Sequence, residues 1–254
     1  MPARAALGQG LHQEERSEGQ GLLPLTDADA QKRAVGYAAV DRYVCSGTCI
    51  GLGTGSTARW AVARAGERVA AGEQIVAVAT SAVTERQCRE LGIPLAGLGE
   101  CEIDVAIDGA DEVAADWSLT KGGGGAHFRE KAVALAANRF VVIVTPEKLV
   151  EKLGAFTTPV EVVPYTLLVV RRAIEARYPG VRVQRRGGDE TPYVTDNGNA
   201  LLDCAFGTID DPAGLDASLR EIHGVLDTGI FPPGLATAVL VGDPDGVREL
   251  QRPD

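Results

Sequence analysis

Two charged residues flank a run of four glycines in the segment KGGGGAHFREK, residues 121–131. Lys121 opens the segment, and Glu130 follows the glycines in a stretch that reads as a helix. Gly is less favourable than Ala inside helices and strands by about 0.5–1 kcal/mol, so four in a row favour a loop that brings backbone N–H groups against a ligand. Such a loop would also set a base near a cation. The alternative is that Arg129, Glu130 and Lys131 form a solvated helix face.

A second glycine-bearing loop, GLGTGST at residues 51–57, stands between a short apolar strand and a helix. Its glycines allow a ligand to approach the backbone, the helix N-terminus adds partial positive charge, and Ser56 and Thr57 supply hydroxyl donors. These groups would cradle a phosphate. The spacing fits neither a Walker A loop nor GxGxxG, so a purely structural turn remains an alternative.

Two carboxylates lie at the end of the strand DVAID, residues 104–108. Asp108 is its last residue, and Asp111 follows after Gly109 and Ala110. Ligands collect beyond the carboxyl ends of strands in open α/β sheets, which favours a binding role for both aspartates. The alternative is that Asp111 or Glu112 caps a turn, a common role for such residues.

Composition excludes several classes of protein. The chain has 254 residues, 45% of them hydrophobic, and a net charge of −10 with scattered basic residues, which argues against a nucleic-acid partner. No apolar stretch approaches the roughly 20 residues of a membrane span, and the first residues lack the apolar centre of a secretory signal. We therefore expect a cytoplasmic enzyme. The cysteines are odd in number and lack a CxxC pair, so we expect buried free thiols: Cys45, Cys49, Cys88, Cys101 and Cys204.

Apolar strands alternate with amphipathic helices from Asp27 to about residue 154, which predicts an α/β fold with a Rossmann-like, mostly parallel sheet and helices on both faces. Residues 1–25 lack apolar periodicity and are expected to form a disordered extension. We predict a catalytic domain from residues 26–154 and 232–254. A smaller inserted α+β domain would occupy residues 155–231, where an Asn-Gly turn signal lies between strand-like runs.

The motifs GTGST, DGADE, KGGG followed by REK, PVEVVP, VTDNGN and a late GIF occur in an order and at separations that resemble the type A ribose 5-phosphate isomerases. The resemblance covers the chain from about Asp27 to Leu250. It implies interconversion of ribose 5-phosphate and ribulose 5-phosphate without a metal or organic cofactor. It also implies a homodimer or homotetramer in the non-oxidative branch of the pentose phosphate pathway.

The resemblance implies roles for individual residues. Glu130 matches the family's general base, and Lys121 with the loop amides would stabilise the enediolate, while Asp108 and Asp111 would move protons between oxygens or assist ring opening. His127 stands where relatives carry apolar residues, which favours packing or support over catalysis, and Ser81 is a further possible contact. The residues that match substrate-binding segments of the family are Lys32, Thr54, Gly55, Ser56, Thr57, Asp108, Gly109, Ala110, Asp111, Lys121, Gly122, Gly123, Gly124 and Lys148.

Other functions remain as alternatives. A sugar-phosphate deaminase, a lactonase or a CoA transferase could share the architecture, but a deaminase should show a catalytic histidine in its own motif. A non-catalytic sugar-phosphate sensor would keep the phosphate loop and tend to lose the base, so the presence of Glu130 with Lys121 and Asp108 favours catalysis.

Overall fold

Strands and helices alternate through the first half of the chain, as the periodicity predicts. The structure is a computed structural model that describes residues 27–251; the extension predicted at residues 1–25 lies outside the described residues. The helices are α1 (Asp27–Tyr43), α2 (Ala58–Ala70), α3 (Ala82–Glu90), α4 (His127–Ala136), α5 (Leu167–Arg177) and α6 (Pro212–Arg220). The strands are β1 (Thr48–Leu52), β2 (Ile75–Ala79), β3 (Val105–Asp108), β4 (Glu112–Val113), β5 (Leu119–Thr120), β6 (Phe140–Val144), β7 (Thr158–Val162), β8 (Arg182–Arg185), β9 (Ala200–Ala205), β10 (Val225–Thr228), β11 (Ile230–Phe231), β12 (Ala238–Asp243) and β13 (Gly246–Glu249).

The central sheet has six strands in the order β13-β12-β6-β3-β1-β2, and all of its pairings are parallel except that between β12 and β13. Alternate residues along each strand enter two separate cores. Ile50, Ile107 and Ile143 pack with α1 and α2 on one face, whereas Ala106 and Val142 pack with α4 on the other. The predicted mostly parallel sheet with helices on both faces is therefore confirmed.

The connections from β1 and β3 leave the sheet in opposite directions. The chain passes from β1 through α2 to β2 at one edge, and β3 lies on the other side of β1, from which the chain continues toward β6. Such a reversal opens a crevice beyond the carboxyl ends of the two strands, where α/β proteins bind ligands. The loop after β1 and Asp108 at the end of β3 both lie at this crevice.

A second sheet is entirely antiparallel, with the strand order β10-β7-β9-β8. Together with α5 and α6 it encloses its own core, which includes Val160, Ile174, Leu202 and Leu219. We call residues 158–228 the small unit. This antiparallel region is the one predicted from the changed rhythm of the sequence; the exact domain boundaries remain a prediction.

A third, short sheet has the order β11-β5-β4 and was not predicted. Its strands are two residues each, too short to show a periodic pattern. The backbone N–H of Lys121, directly after β5, donates to the carbonyl of Gly229, directly before β11. Gly229, the residue that follows the small unit, thereby fixes the backbone of Lys121.

Two segments whose sequence patterns predict helices, EKLVEKLG at residues 147–154 and DPDGVREL at residues 243–250, do not form them. The segment EKLVEKLG forms only a 3₁₀ turn at Pro146–Lys148, after which Leu149 makes a bridge to Val113. The segment after the last parallel strand was also expected to be helical, but Gly246–Glu249 is strand β13. Gly246 turns the chain with a φ of +145°, and β13 then pairs with β12, whose outer edge would otherwise be unpaired.

The expectation of five free, buried thiols is only partly correct. Cys49 in β1 and Cys101 form a disulfide, with Cα atoms 6.4 Å apart, and Cys45 is free but exposed. Their separation of 52 residues gave no recognisable spacing. Cys88 and Cys204 are free and buried as expected, and burial raises the pKa of the Cys88 thiol to about 11.

Within residues 27–251, no helix combines the length and apolar character that crossing a membrane requires.

Candidate active site

A cleft of about 400 Å³ opens at the crevice between β1 and β3. Three loops form it: the β1–α2 turn, the segment after β3, and the glycine loop between β5 and α4. The side of the cleft near α1 is completed by Lys32 and by the 3₁₀ turn that contains Lys148. The lining residues are Lys32, Thr54, Gly55, Ser56, Thr57, Ala58, Gly109, Ala110, Asp111, Lys121, Gly122, Gly123, Gly124, Glu130, Glu147 and Lys148.

The predicted site residues therefore surround one cavity, apart from Asp108 and Ser81. Asp108 lies behind the lining and reaches the site through Lys121. Ser81 is buried; its hydroxyl caps α3 by accepting from the N–H of Thr84 and is 2.7 Å from the Thr54 hydroxyl. It supports Thr54 from behind instead of lining the cleft.

Lys121 lies between two buried carboxylates. Its ammonium nitrogen is 3.0 Å from Oδ2 of Asp108 and 3.2 Å from Oε2 of Glu130, and it also donates to the carbonyl of Gly109. All three side chains are no more than 4% exposed. One positive charge thus faces two potential negative charges in a place with little access for water.

This arrangement makes Glu130 a stronger base than an ordinary carboxylate. Burial raises its pKa to about 8, with the attraction of Lys121 opposing the shift and the charge of Asp108 adding to it. Burial also raises the pKa of Asp108, against the effect of Lys121. Desolvation lowers the pKa of Lys121, but the two carboxylates outweigh it and keep the ammonium protonated. Perturbed titrations of this kind, inside a cleft, are typical of acid–base sites.

Local sequence explains how Asp108 is held. Its Oδ1 accepts from the backbone N–H groups of Gly109, at 2.7 Å, and Thr54, at 3.1 Å. Gly53 must lack a side chain because an added Cβ would lie 2.0 Å from that same oxygen. Gly53 therefore leaves room for the Asp108 carboxylate, in addition to any role it has in binding a ligand.

The glycine loop has a backbone that other residues would not adopt easily. Gly122 and Gly125 have φ values of +100° and +79°, in the left-handed region where Gly has no steric penalty. Added Cβ atoms at these positions would also collide with His127 and Tyr193. The loop thus bends tightly against its neighbours, and Gly123 N–H reaches Oδ2 of Asp111 at 2.7 Å.

His127 is fully buried against this loop. Desolvation, and then the nearby charge of Lys131, lower its pKa to about 3, so the imidazole is neutral at physiological pH. It is absent from the residues that line the cleft. The position is that of a packing residue beneath the glycine loop, as the sequence favoured.

Three residues that the sequence did not single out lie in the cleft or contact the glycine loop that lines it. Glu147 lines it beside Lys148, with its carboxylate 2.5 Å from the Thr145 hydroxyl. Arg186 and Tyr193 of the small unit donate to carbonyl oxygens of the glycine loop. Glu147 was detectable as the acidic neighbour of Lys148, whereas Arg186 and Tyr193 lie far along the chain and carried no local signal.

The ends of the cleft differ chemically. Around the β1–α2 turn it offers hydroxyls, the N-terminus of α2 and two lysines, which suit an anion such as phosphate. Near α4 it offers a base, a cation and glycine amides, which suit removal of a proton next to a carbonyl. Within residues 27–251, no group of three or more His, Cys, Asp or Glu side chains is arranged to hold a metal ion.

Comparison with known proteins agrees with this geometry. Residues 76–246 match the family model for ribose 5-phosphate isomerase A (phosphoriboisomerase A). A ribose-5-phosphate isomerase A from Methanothermobacter thermautotrophicus is 43% identical over 221 residues, which are 87% of this chain and 97% of the relative.

Solved structures give the same result. A ribose 5-phosphate isomerase A from Methanocaldococcus jannaschii superposes with a TM-score of 0.82 at 41% identity, covering 88% of this chain and 99% of the other. A D-ribose-5-phosphate isomerase in complex with phospho-erythronic acid gives a TM-score of 0.84 at 35% identity, covering 89% of this chain and 99% of that one.

Proposed function

The chain belongs to the ribose 5-phosphate isomerase A family, and we propose that Glu130 is the base with which it interconverts D-ribose 5-phosphate and D-ribulose 5-phosphate. The observation that carries the assignment of roles is the buried contact of Lys121 with both Glu130 and Asp108, beside a cleft whose other end offers hydroxyls, a helix N-terminus and two lysines. The reaction is a step in the non-oxidative branch of the pentose phosphate pathway.

The mechanism follows from the order of groups along the cleft. The carboxylate of Glu130 removes the proton on C2 of the open-chain aldose, and the C–H electrons form the C1–C2 double bond as the carbonyl oxygen gains charge. In the resulting enediolate the proton on the C2 oxygen passes to the negatively charged C1 oxygen. The C2 oxygen then becomes the carbonyl, as the electrons of the C1–C2 double bond take the proton of Glu130 onto C1. One base placed between C1 and C2 performs both transfers, so no second carboxylate is needed to move a proton to or from a carbon atom.

Lys121 supplies the opposing charge. Its ammonium would lie against the oxygen that becomes negative, and a donor fixed in advance in a dry site contributes more than the same donor in water. Asp108 keeps Lys121 protonated and oriented. Asp111, on the wall of the cleft, would move the proton between the C1 and C2 oxygens or assist ring opening, and Asp108 would act on the substrate through Lys121.

The phosphate would occupy the opposite end of the cleft, against Ser56, Thr57 and the N-terminus of α2. Lys32 and Lys148 add positive charge there. The relative that was solved with phospho-erythronic acid, a four-carbon sugar acid that carries a phosphate, supports a site of this length. Binding the phosphate remotely holds the reacting carbons against Glu130.

The function is tested by assaying the purified protein with ribose 5-phosphate in the presence of EDTA. We expect ribulose 5-phosphate to form at the same rate with and without the chelator, because the proposed chemistry uses only side chains and amides. Activity lost in EDTA and restored by a divalent metal would contradict the proposed chemistry. Heat-inactivated protein is the control.

The raised pKa of Glu130 leads to a prediction about pH. Because only the carboxylate form can act as a base, we expect kcat/KM to rise as pH increases through the pKa of Glu130, above the ordinary range of glutamate. Asp108→Asn removes a negative charge that raises the pKa of Glu130, so the rising part, or limb, of the kcat/KM–pH profile should move to lower pH. This shift is expected even if the maximal rate of the variant is reduced.

The matched control for this shift is Asp111→Asn. Asp111 raises the pKa of Glu130 less than Asp108 does, so its replacement should move the limb by a smaller amount. The measurement is the pH dependence of kcat/KM for the three proteins. An identical limb in wild type and D108N would show that the titrating base is a different group.

We further propose that the protein works in the cytoplasm, where charged sugar phosphates are retained by the membrane, and that it forms a homodimer or homotetramer. Exposed apolar side chains before and within α5, which include Tyr165, Leu168 and Val169, support self-association. The proposed domains are residues 26–154 with 232–254, and the smaller inserted residues 155–231. The separate core of the small unit supports this division.

A further inference from the structure

Arg186 of the small unit forms hydrogen bonds with the glycine loop of the active site. Nη1 of Arg186 donates to the carbonyl oxygens of Gly122, at 2.7 Å, and Gly123, at 3.1 Å. The guanidinium is itself fixed by Asp203 of β9, which accepts from Nε at 3.0 Å and from Nη2 at 2.5 Å. The side chain of Arg186 is 16% exposed, so this is a largely buried bidentate pair.

A second residue of the same unit completes the grip. The hydroxyl of Tyr193 donates to the carbonyl of Gly124 at 3.0 Å, and the guanidinium of Arg186 lies 5.8 Å from the centre of the Tyr193 ring. Three consecutive carbonyl oxygens of the loop are therefore bound from the side of the small unit.

Because Arg186 fixes the direction of the Gly122 and Gly123 carbonyls, it also fixes the direction of the N–H groups in the same two peptide units. In a trans peptide the C=O and the following N–H point in opposite directions, and the described residues contain no cis peptide bond. The Gly123 N–H points accordingly toward Asp111, at 2.7 Å, on the wall of the cleft. The peptide between Gly123 and Gly124 is held by the same guanidinium through the Gly123 carbonyl, so the N–H of Gly124, a residue that lines the cleft, points away from Arg186.

We propose that Arg186 is a positioning residue for the isomerisation: it holds the glycine loop so that the N–H of Gly124 faces the oxygen that becomes negative, while the N–H of Gly123 holds Asp111. The inference rests on the proposed function and deepens it. The guanidinium also polarises the two peptide groups it contacts, which makes their N–H groups better donors. The small unit thus contributes to transition-state stabilisation without touching the substrate.

The test compares Arg186→Met with Arg186→Lys, Tyr193→Phe and the neighbouring Arg185→Met. We expect R186M to lower kcat about tenfold or more while KM changes less than threefold, because the loop amides matter most when charge develops. R186K should recover part of the loss. The ammonium of Lys keeps the positive charge, but it cannot contact Asp203 and the loop carbonyls at the same time with the planar geometry of a guanidinium. Y193F should lower kcat about threefold.

The control, R185M, removes the same charge one residue away. Arg185 lies 3.6 Å from Asp189, whose side chain is 93% exposed, and makes no contact with the glycine loop in the described structure. We expect kcat within twofold of wild type. Affinity for phospho-erythronic acid should fall at least fivefold in R186M and stay unchanged in R185M.

Loss of stability must be separated from loss of positioning, because R186M leaves the carboxylate of Asp203 without its partner. The double variant R186M/D203N removes that charge, so its Tm should return toward wild type while kcat stays low. A kcat within twofold of wild type in the double variant overturns the role of Arg186. An inactive wild-type protein would instead overturn the proposed function, so the two failures are distinguishable.

Discussion

Replacing Glu130 by Gln is expected to lower kcat by roughly 10²–10⁴-fold, the range for loss of a positioned general base. Gln has nearly the same shape but cannot accept the C2 proton. The carboxylate it replaces is buried, and burial disfavours its charged form. In the wild-type protein Lys121 also lies 3.0 Å from Asp108, so removing the charge of Glu130 leaves no buried cation without a partner. We therefore expect Tm to stay level or rise while activity collapses.

The measurement is steady-state kinetics with thermal melts on the same preparations. Binding of phospho-erythronic acid should persist in E130Q, which shows that the cleft is intact. The matched control is Glu147→Gln, the same change in the same cleft, for which we expect a kcat loss at least tenfold smaller. A kcat for E130Q within tenfold of wild type would mean that the base is elsewhere.

Replacing Lys121 by Met should damage activity and stability together. Removal of one preorganised donor to a developing oxyanion typically costs about 10²–10³-fold in kcat, and we expect a loss of that size. In addition, Asp108 and Glu130 would lose the charge that they share. Removing one partner of a buried ion pair destabilises proteins by about 3–5 kcal/mol, which is the range we expect at alkaline pH.

The pH dependence of stability distinguishes this explanation from simple loss of packing. Without Lys121, both carboxyl groups have folded-state pKa values further above their unfolded values. Such groups favour the folded state while protonated, in wild type as in the variant. The stability of K121M relative to wild type should therefore fall as pH rises through the wild-type folded-state pKa values of the two carboxyl groups toward the higher values of the variant.

The experiment is denaturant unfolding at several pH values, with K121M/D108N as the partial rescue and Lys152→Met as the control. Lys152 forms an exposed pair with Asp210, a type that contributes about 0–1 kcal/mol. Equal destabilisation of K121M at all pH values would contradict the electrostatic explanation.

Local sequence was sufficient for those parts of the fold that rest on local rules. Apolar runs such as FVVIV, at residues 140–144, can bury every side chain only in a strand that is covered on both faces. These runs form the central sheet. The loop GLGTGST was recognisable because the chemistry of glycine, hydroxyl and helix terminus is contained in seven residues. Asp108 was placed at the cleft by a topological rule about strand ends.

The remainder depends on contacts that no local pattern encodes. Strand β5 pairs with β11, which lies far along the chain, and Cys49 meets Cys101 only once β1 and the loop before β3 are folded. The segment EKLVEKLG had a helical pattern, yet its backbone bonds to Val113 instead. Arg186 contacts a loop 64 residues earlier in the chain, and its type alone suggests only a surface cation.

The bond between the N–H of Lys121 and the carbonyl of Gly229 has a consequence for synthesis. A nascent chain that has emerged from the ribosome as far as β6 still lacks Gly229, whose carbonyl sets the backbone of Lys121. Only when the tail of the polypeptide is available does the site become complete. The isomerase should therefore be silent during translation and become active in its last stage, and fragments divided ahead of Gly229 should acquire activity only when mixed.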